Sequence, residues 1–158
     1  MNELPIYIFV DSNHGHDKRT GRSITGMIVS VGRTPIYWCS KRQGAVQTAT
    51  FGAEFIALKK AVEEAITTRY WLKSMGVHVT KPTVIYGDNL SSITNCTQPS
   101  SQLKKKYLAL AYHFCRENFS VGIISIRKID TKDNFADPFI KALVSYEFHG
   151  HMKEITVE

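Results

Sequence analysis

The sequence predicts an α/β fold in which a mixed β-sheet carries helices on both faces. Two short apolar runs, residues 5–10 and 82–86, each lead towards an aspartate, Asp11 in the first case and Asp88 in the second. A strand that is apolar at nearly every position is typical of the centre of a sheet covered on both sides. Helical segments lie between and after the later strands, and they supply the crossovers that parallel strands require.

The composition indicates a globular protein with a basic surface. Hydrophobic residues make up 43% and charged residues 22% of the chain, which are ordinary values. The net charge of +6 and a pI near 9.3 favour a polyanionic partner. No apolar run approaches the roughly 20 residues that cross a membrane, and the first residues do not begin a signal peptide. We therefore expect a cytoplasmic protein without membrane association.

The first half of the chain predicts an antiparallel meander. A polar, glycine-punctuated loop follows Asp11, and two further strands are joined by the short turn Gly32-Arg33-Thr34. The three predicted strands span residues 5–10, 23–31 and 35–40. The strands of the second half are expected to join this sheet by parallel pairing.

A long helix is predicted after the meander. Thr50 can cap its start, and Gly76 marks its end shortly after Met75. Apolar residues recur every three or four positions, as in a helix with one buried face. This stripe consists of Phe51, Phe55, Leu58, Val62 and Ile66.

The second half of the chain predicts two more strands and three more helices. The strands are residues 82–87 and 122–129, and the helices are residues 89–96, residues 103–117 and a final helix after Asn134. The 103–117 helix is expected to bury Leu103, Tyr107, Leu110 and Phe114. The final helix is expected to carry Phe135, Phe139, Ile140 and Leu143. No linker marks a second domain, so we expect one domain, residues 1–158. From Ser145 onward the sequence shows no clear period, which divides the domain into a core of about 5–144 and a tail of 145–158.

Three acidic residues are expected to meet at one edge of the sheet. Asp11 and Asp88 follow strands that we predict to be parallel neighbours, and ligands of open α/β folds bind at that edge. Two close carboxylates must share a proton or bind a cation. Glu54 lies beside the apolar stripe of the long helix, where a carboxylate is costly without a partner. The alternatives are a turn-initiating Asp11, a helix-capping Asp88 and a surface-exposed Glu54.

Six segments in the same order along the chain match a known family. They are Phe9-Val10-Asp11-Ser12-Asn13, Ser40-Lys41-Arg42-Gln43, Ala53-Glu54-Phe55-Ile56-Ala57-Leu58, Val84-Ile85-Tyr86-Gly87-Asp88-Asn89, Tyr112-His113-Phe114-Cys115-Arg116-Glu117 and Asn134-Phe135-Ala136-Asp137-Pro138-Phe139. Over nearly its whole length the chain resembles the ribonuclease H domain of copia-type retrotransposon polyproteins. The resemblance implies a ribonuclease H-like fold with a five-stranded mixed sheet, an antiparallel meander plus two parallel strands, flanked by helices on both faces.

The resemblance also implies a site of four carboxylates, Asp11, Glu54, Asp88 and Asp137. Asp137 is expected from the resemblance alone. Because Pro138 follows it, a helix-capping role is its structural alternative. Asp133 is the other acid that can fill this position. The four acids would be both the metal ligands and the catalytic residues.

Oxygen ligands without Cys or His favour Mg²⁺ or Mn²⁺. Two ions roughly 4 Å apart can clamp an in-line displacement at phosphorus. By the resemblance, the substrate is the RNA strand of an RNA/DNA hybrid and the products carry 5′-phosphate and 3′-hydroxyl ends. We expect Asp11 to bridge both ions, Glu54 and Asp88 to lie towards the leaving group, and Asp137 to lie towards the attacking water.

Two groups of residues are expected to bind the hybrid. Polar groups beside the site would read the 2′-hydroxyl that only RNA carries, and cations would hold phosphates without sequence preference. The candidates for the first role are Ser12, Asn13 and Asn89, and those for the second are Lys41, Arg42, Lys104, Lys105 and Lys106. The lysine run is equally typical of a solvated helix face.

The chain departs from the family in two respects. The short link from Ile129 to Asp137 contains no histidine, where many ribonucleases H carry one. The separate basic segment found in some cellular relatives is also missing. We therefore expect the isolated domain to bind the hybrid weakly and the reverse transcriptase portion of a polyprotein to strengthen this binding. Virus-like particles are expected as a further location.

Two alternatives remain: an integrase- or transposase-like core acting on DNA, and a catalytically silent nucleic-acid-binding module.

Overall fold

Five strands form one mixed sheet in the order β3-β2-β1-β4-β5. They are β1 (Ile6–Asn13), β2 (Ile24–Val31), β3 (Thr34–Arg42), β4 (Thr83–Gly87) and β5 (Ile124–Lys128). The computed structural model describes residues 4–103, 105–141 and 145–155. β1–β2 and β2–β3 are antiparallel, whereas β1–β4 and β4–β5 are parallel. The predicted meander followed by parallel strands is confirmed.

Helices cover both faces of this sheet, as the fold class predicts. They are α1 (Thr50–Ser74), α2 (Leu90–Thr97), α3 (Ala109–Ser120) and α4 (Ser145–Ile155). The first three pack against the face that carries Ile6, Ile8 and Val10. The end of α4 lies over the other face, where Ile155 lines a cavity of about 560 Å³ together with Tyr7 and Phe9 of β1. None of the helices in the described part of the chain has the length and apolar character needed to span a membrane.

Small residues allow α1 to lie close to the sheet. Ala53, Ala57, Ala61 and Ala65 are all buried, and Phe55 of the same helix is fully buried and stacks on Tyr112 of α3. Burying a side chain of that size stabilises the fold by about 1.5–3 kcal/mol. The predicted stripe is correct at Phe55, Leu58 and Val62. Ile66 is instead 37% exposed, because Ala65 occupies the buried position at that turn.

The prediction for the 103–117 helix is correct only in part: Leu103 and Phe114 are partly buried against the core, but the buried face of α3 differs from the predicted one elsewhere. Tyr107 is exposed, and Leu110 is 87% exposed. The residues that face the core are Leu108, Ala111, Tyr112 and Cys115. A 3₁₀ turn, Lys106–Leu108, precedes α3. Because a 3₁₀ turn has three residues per turn instead of 3.6, the helical spacing counted from Leu103 does not hold beyond it.

The predicted final helix after Asn134 is wrong. One 3₁₀ turn, Thr131–Asp133, precedes Asn134, and a second, Asp137–Phe139, follows it; the second is called the Asp137 turn below. Pro138 has no N–H to donate to a helix, and Asn134 uses its side chain for bonds to the backbone. The regular helix instead lies in the segment without clear period, as α4. Leu143 lies outside the described residues.

Candidate metal centre

Three of the predicted acids converge at one edge of the sheet. Asp11 lies in β1, Asp88 directly follows β4, and Glu54 lies in the second turn of α1. Each offers a carboxylate oxygen, and these oxygens all lie within 4.8 Å of one another. The β1–β4 pairing joins Tyr7 to Val84 and Phe9 to Tyr86, and continuing this register sets Asp11 level with Asp88. The parallel pairing thus explains the convergence of two of the three.

Asp11 does not end its strand, contrary to the prediction. β1 continues to Asn13, because Asp11 pairs with Gly26 and the next two residues also pair with the antiparallel strand β2. The side chain of Asp11 is 3% exposed. Its Oδ1 accepts a hydrogen bond of 2.8 Å from the backbone N–H of Ser12. The carboxylate is therefore buried and oriented by its own strand.

Burial and mutual repulsion hold protons in this site. Burial, followed by the charges of Asp88 and Glu54, raises the pKa of Asp11 to about 8. Burial likewise raises the pKa of Glu54 to about 7; the Ser12 hydroxyl opposes this rise and Asp88 adds to it. A cation bound between these close carboxyl groups would stabilise their ionised form. The donor set contains only oxygen, which suits Mg²⁺ or Mn²⁺.

A buried glutamine fixes the start of α1 over the sheet. Gln43 donates from Nε2 to the carbonyl oxygen of Ala53 at 2.9 Å and to Oγ1 of Thr25 at 3.0 Å. Thr25 pairs with Ser12 across the sheet, and Glu54 follows Ala53 in the helix. Gln43 therefore connects the two elements that carry Asp11 and Glu54. Thr50, the predicted cap of α1, is instead its first residue, and Ala49 stands at the cap position.

Asp88 does not cap α2, so that alternative is wrong. The cap is Asn89, whose side-chain oxygen accepts a hydrogen bond from the N–H of Ser92 at 2.9 Å. Asp88 is left to face the other acids. Its Oδ2 accepts a hydrogen bond of 2.9 Å from the hydroxyl of Thr131.

Asp137 lies beside the three acids but outside their 4.8 Å group. It is 5% exposed, and its charge contributes to the raised pKa of Asp11. Its Oδ2 lies 2.9 Å from Nζ of Lys141, whereas its buried Oδ1 has no hydrogen-bond partner among the described residues. A buried carboxylate oxygen without a hydrogen-bond partner, in a side chain close enough to act on Asp11, fits a metal ligand. Asp133, the alternative acid, is exposed.

The polar residues expected to read the RNA strand lie near this edge. Ser12 is buried next to Asp11. Asn13 is half-buried; its Nδ2 lies 3.2 Å from the carbonyl oxygen of Ile140 and 2.9 Å from Nδ1 of His16. Asn89 is half-buried and uses its side-chain oxygen for the α2 cap, which leaves its amide N–H groups as donors. All three residues follow Asp11 or Asp88 in the chain.

The expected basic residues occupy separate surfaces. Lys41 and Arg42 are exposed at the end of β3, and Nη1 of Arg42 lies 2.7 Å from Oδ2 of Asp17. The bond from Arg42 lowers the pKa of Asp17 to about 2. Lys105 is half-buried beside a cavity of about 570 Å³ near Phe51. Lys106 is exposed, and Lys104 lies outside the described residues.

Three residues near the acids were missed by the sequence analysis: Thr131, Asn134 and Lys141. Lys141 stands four positions after Asp137, a spacing at which opposite charges often pair, so it could have been found. Thr131 and Asn134 give no comparable local signal, because their partners lie 43 and 124 positions away along the chain.

Sequence comparison finds relatives among transposon polyproteins. The chain is 30% identical over 156 residues to the retrovirus-related Pol polyprotein from transposon RE1 of Arabidopsis thaliana. It is 29% identical over 140 residues to the corresponding polyprotein from transposon TNT 1-94 of Nicotiana tabacum. These matches cover 99% and 89% of this chain, which spans only about a tenth of each relative's length. No protein-family model matches the chain.

Structural comparison finds the same architecture in ribonucleases H. The N-terminal RNase H domain of Rv2228c from Mycobacterium tuberculosis superposes with a TM-score of 0.66 at 13% identity, covering 94% of this chain and 99% of that chain. LC11-RNase H1, solved in complex with an RNA/DNA hybrid, superposes with a TM-score of 0.65 at 14% identity, covering 90% and 99%. At these identities the likeness establishes the fold.

Proposed function

This chain is a homologue of copia-type retrotransposon Pol polyproteins with the ribonuclease H fold, and from this premise we propose that it hydrolyses the RNA strand of RNA/DNA hybrids. The observation that carries the proposal is the convergence of Asp11, Glu54 and Asp88, with oxygens within 4.8 Å. Clustered negative charge opposes the binding of a polyanion. A site of this kind therefore suits a nuclease that works with cations better than a silent binding module.

The four acids would hold two divalent ions, Mg²⁺ or Mn²⁺. Such ions, when bound, lower the pKa of an attacking water and neutralise a leaving oxygen at phosphorus. Asp11, the most central acid, would bridge both positions. Glu54 and Asp88 would serve the leaving-group side and Asp137 the water side. Cleavage would leave 5′-phosphate and 3′-hydroxyl ends.

The residues around the acids would position the hybrid. Ser12, Asn13 and Asn89 offer hydroxyl and amide groups for the RNA 2′-hydroxyl. Phosphate contacts would come from Lys41, Arg42, Lys104, Lys105 and Lys106, and contacts of this type add affinity without sequence preference. The hybrid-bound state of LC11-RNase H1, a protein of the same fold, supports this substrate class.

The relatives support a place within a larger protein. The curated relatives are Pol polyproteins, and a foamy virus protease–reverse transcriptase contains the same fold in 20% of its chain, at a TM-score of 0.54. We infer that residues 1–158 work as one domain, with a core of about 5–144. A neighbouring reverse transcriptase portion would strengthen binding of the hybrid. The cytoplasm, including virus-like particles, is the proposed location.

A cleavage assay with three labelled substrates tests the proposal. The RNA/DNA hybrid, duplex DNA and duplex RNA are each incubated with Mg²⁺, Mn²⁺ or EDTA. We expect metal-dependent cutting of the RNA in the hybrid alone, lost in Asp11→Asn and retained in Asp133→Asn, the matched change of an exposed acid. Cutting of duplex DNA would indicate an integrase-like core instead. Binding without any cutting would indicate a silent module.

A further inference from the structure

A buried asparagine ties the Asp137 turn to the central strand. Asn134 is fully buried. Its Nδ2 donates to the carbonyl oxygen of Val10 at 3.1 Å, and its Oδ1 accepts from the N–H of Ala136 at 3.1 Å. Val10 immediately precedes Asp11, and Ala136 immediately precedes Asp137. One side chain therefore connects the backbone neighbours of two acids that are far apart in the chain.

Gly26 leaves room for the Asp137 turn to pack against the sheet. Gly26 pairs with Asp11 across β1 and β2. A Cβ at Gly26 would lie 2.9 Å from the carbonyl oxygen of Ala136, 2.9 Å from Cβ of Phe139 and 2.6 Å from Cγ2 of Ile140. The first of these atoms is backbone, so the turn itself would have to move. The Asp137 turn thus packs against the sheet directly beside Asp11.

Only an uncharged side chain with both a donor and an acceptor can make the two bonds of Asn134. The N–H of Ala136 requires an acceptor and the carbonyl of Val10 requires a donor, and an amide offers both. An ionised aspartate would set a second acceptor against the Val10 carbonyl. A leucine of similar size would leave both backbone groups without this partner, which is costly in a buried place.

We infer that Asn134 is a positioning residue for the metal site: it fixes Asp137 relative to Asp11 and thereby sets the affinity for divalent ions. This inference rests on the proposed function, because it gives Asp137 a role as a metal ligand. It assigns to Asn134 no contact with substrate. Groups that hold metal ligands in place commonly change metal affinity by about 10–100-fold when they are replaced.

The test is a double-mutant cycle read by Mn²⁺ binding, which needs no catalysis. The concentration of free Mn²⁺ that half-saturates the folded protein is measured at constant temperature by electron paramagnetic resonance for wild type, Asn134→Leu, Asp137→Asn and the double variant. We expect Asn134→Leu to raise this concentration about tenfold in the wild-type background and less than about twofold in the Asp137→Asn background. Non-additivity of this kind is the mark of one residue acting through another.

Two further variants separate positioning from loss of stability. Val29→Ala removes buried volume from β2 at a fully buried residue and should lower the unfolding temperature without changing the half-saturating Mn²⁺ concentration. Gly26→Ala should displace the Asp137 turn through its clash with the Ala136 carbonyl and should reproduce the pattern of Asn134→Leu. It keeps the test open if Asn134→Leu does not fold.

The outcomes distinguish this inference from the proposed function. An equal Asn134→Leu effect in both backgrounds, or an unchanged Mn²⁺ requirement in Asn134→Leu and Gly26→Ala, overturns the positioning role while the metal site stands. A wild-type chain that shows no saturable Mn²⁺ binding overturns the metal site itself, and the positioning role with it. Cleavage rates of the same variants on the hybrid should follow their Mn²⁺ requirement.

Discussion

The hydroxyl of Thr131 donates a 2.9 Å hydrogen bond to Oδ2 of Asp88, and so links the segment after β5 to the acid after β4. A metal-ligating carboxylate is oriented by the groups that bond its other lone pairs. Since Thr131 makes this bond with its side chain, the segment that leads to Asp137 also steadies Asp88.

Removing this hydroxyl should slow cleavage without unfolding the protein. Thr131→Val keeps the shape of the side chain but cannot donate, so we expect the rate on the hybrid to fall about tenfold. The free energy of unfolding should change by about 1 kcal/mol or less, because Thr131 is exposed. Thr131→Ser retains the hydroxyl and should restore the rate. Equal rates for the valine and serine variants would show that the bond is irrelevant to the site.

The raised pKa values predict that the metal-free protein loses stability as pH rises. The folded chain keeps protons on Asp11 up to about pH 8 and on Glu54 up to about pH 7, whereas the unfolded chain releases them near pH 4. Between these values the folded state binds more protons, so the free energy of unfolding falls with increasing pH. In EDTA, the unfolding temperature should drop between pH 5 and pH 9, by on the order of 10 °C.

Asp11→Asn isolates this effect from other titrating groups. Without the Asp11 charge the drop should be smaller, and the variant should be more stable than wild type at pH 9 in EDTA. Mn²⁺ at pH 8 should restore the stability of wild type but not raise that of Asp11→Asn. Parallel pH profiles for the two proteins would refute the assignment of raised pKa values to these acids.

Lys141 is expected to compete with the metal for Asp137. Its ammonium group lies 2.9 Å from Oδ2 of Asp137, and this bond raises the pKa of Lys141. Lys141→Met leaves a buried carboxylate without its cation, so the unfolding temperature in EDTA should fall. Saturating Mn²⁺ should remove most of the difference, because an ion then neutralises the same group. Lys141→Arg, which keeps the charge, is the control; a deficit that persists in saturating Mn²⁺ argues against competition.

Arg42 should contribute one phosphate contact, and Asp17 should limit it. Arg42→Ala removes a cation and is expected to weaken hybrid binding and to reduce the slope of log affinity against log salt by about 1. Asp17→Asn releases Arg42 from its 2.7 Å ion pair and should strengthen binding at low salt. Lys18→Ala, a change of an exposed cation in the same loop, serves for comparison. If Arg42→Ala leaves the salt slope unchanged, Arg42 does not contact phosphate.

The sequence predicts those features that depend on local pattern. The apolar runs that become β1 and β4 identify buried strands, and their parallel pairing predicts the meeting of Asp11 and Asp88. The helical stripe around Phe55 predicts α1 and places Glu54 near the sheet. The ribonuclease H-like fold and the relation to copia-type polyproteins are confirmed. The roles of the individual acids and of the proposed substrate contacts stay predictions.

The errors arise where distant contacts override local pattern. The stretch around Asp137 has apolar residues at helical spacing, yet Asn134 bonds to Val10, 124 positions away, and the chain forms a 3₁₀ turn instead. The period ahead of α3 is broken by another 3₁₀ turn, so Leu110 faces solvent. No local period specifies such contacts, which is why Asn134, beside the Asp137 turn, and Thr131, which bonds Asp88, were missed.

Counting the bound ions tests the central claim most directly. Free Mn²⁺ is measured by electron paramagnetic resonance while the ion is added to the protein together with a hybrid whose RNA strand cannot be cleaved. We predict saturable binding of about two ions per chain, and a clear loss of this binding in Asp11→Asn. An absence of saturable binding, or identical binding curves for wild type and Asp11→Asn, would contradict the account.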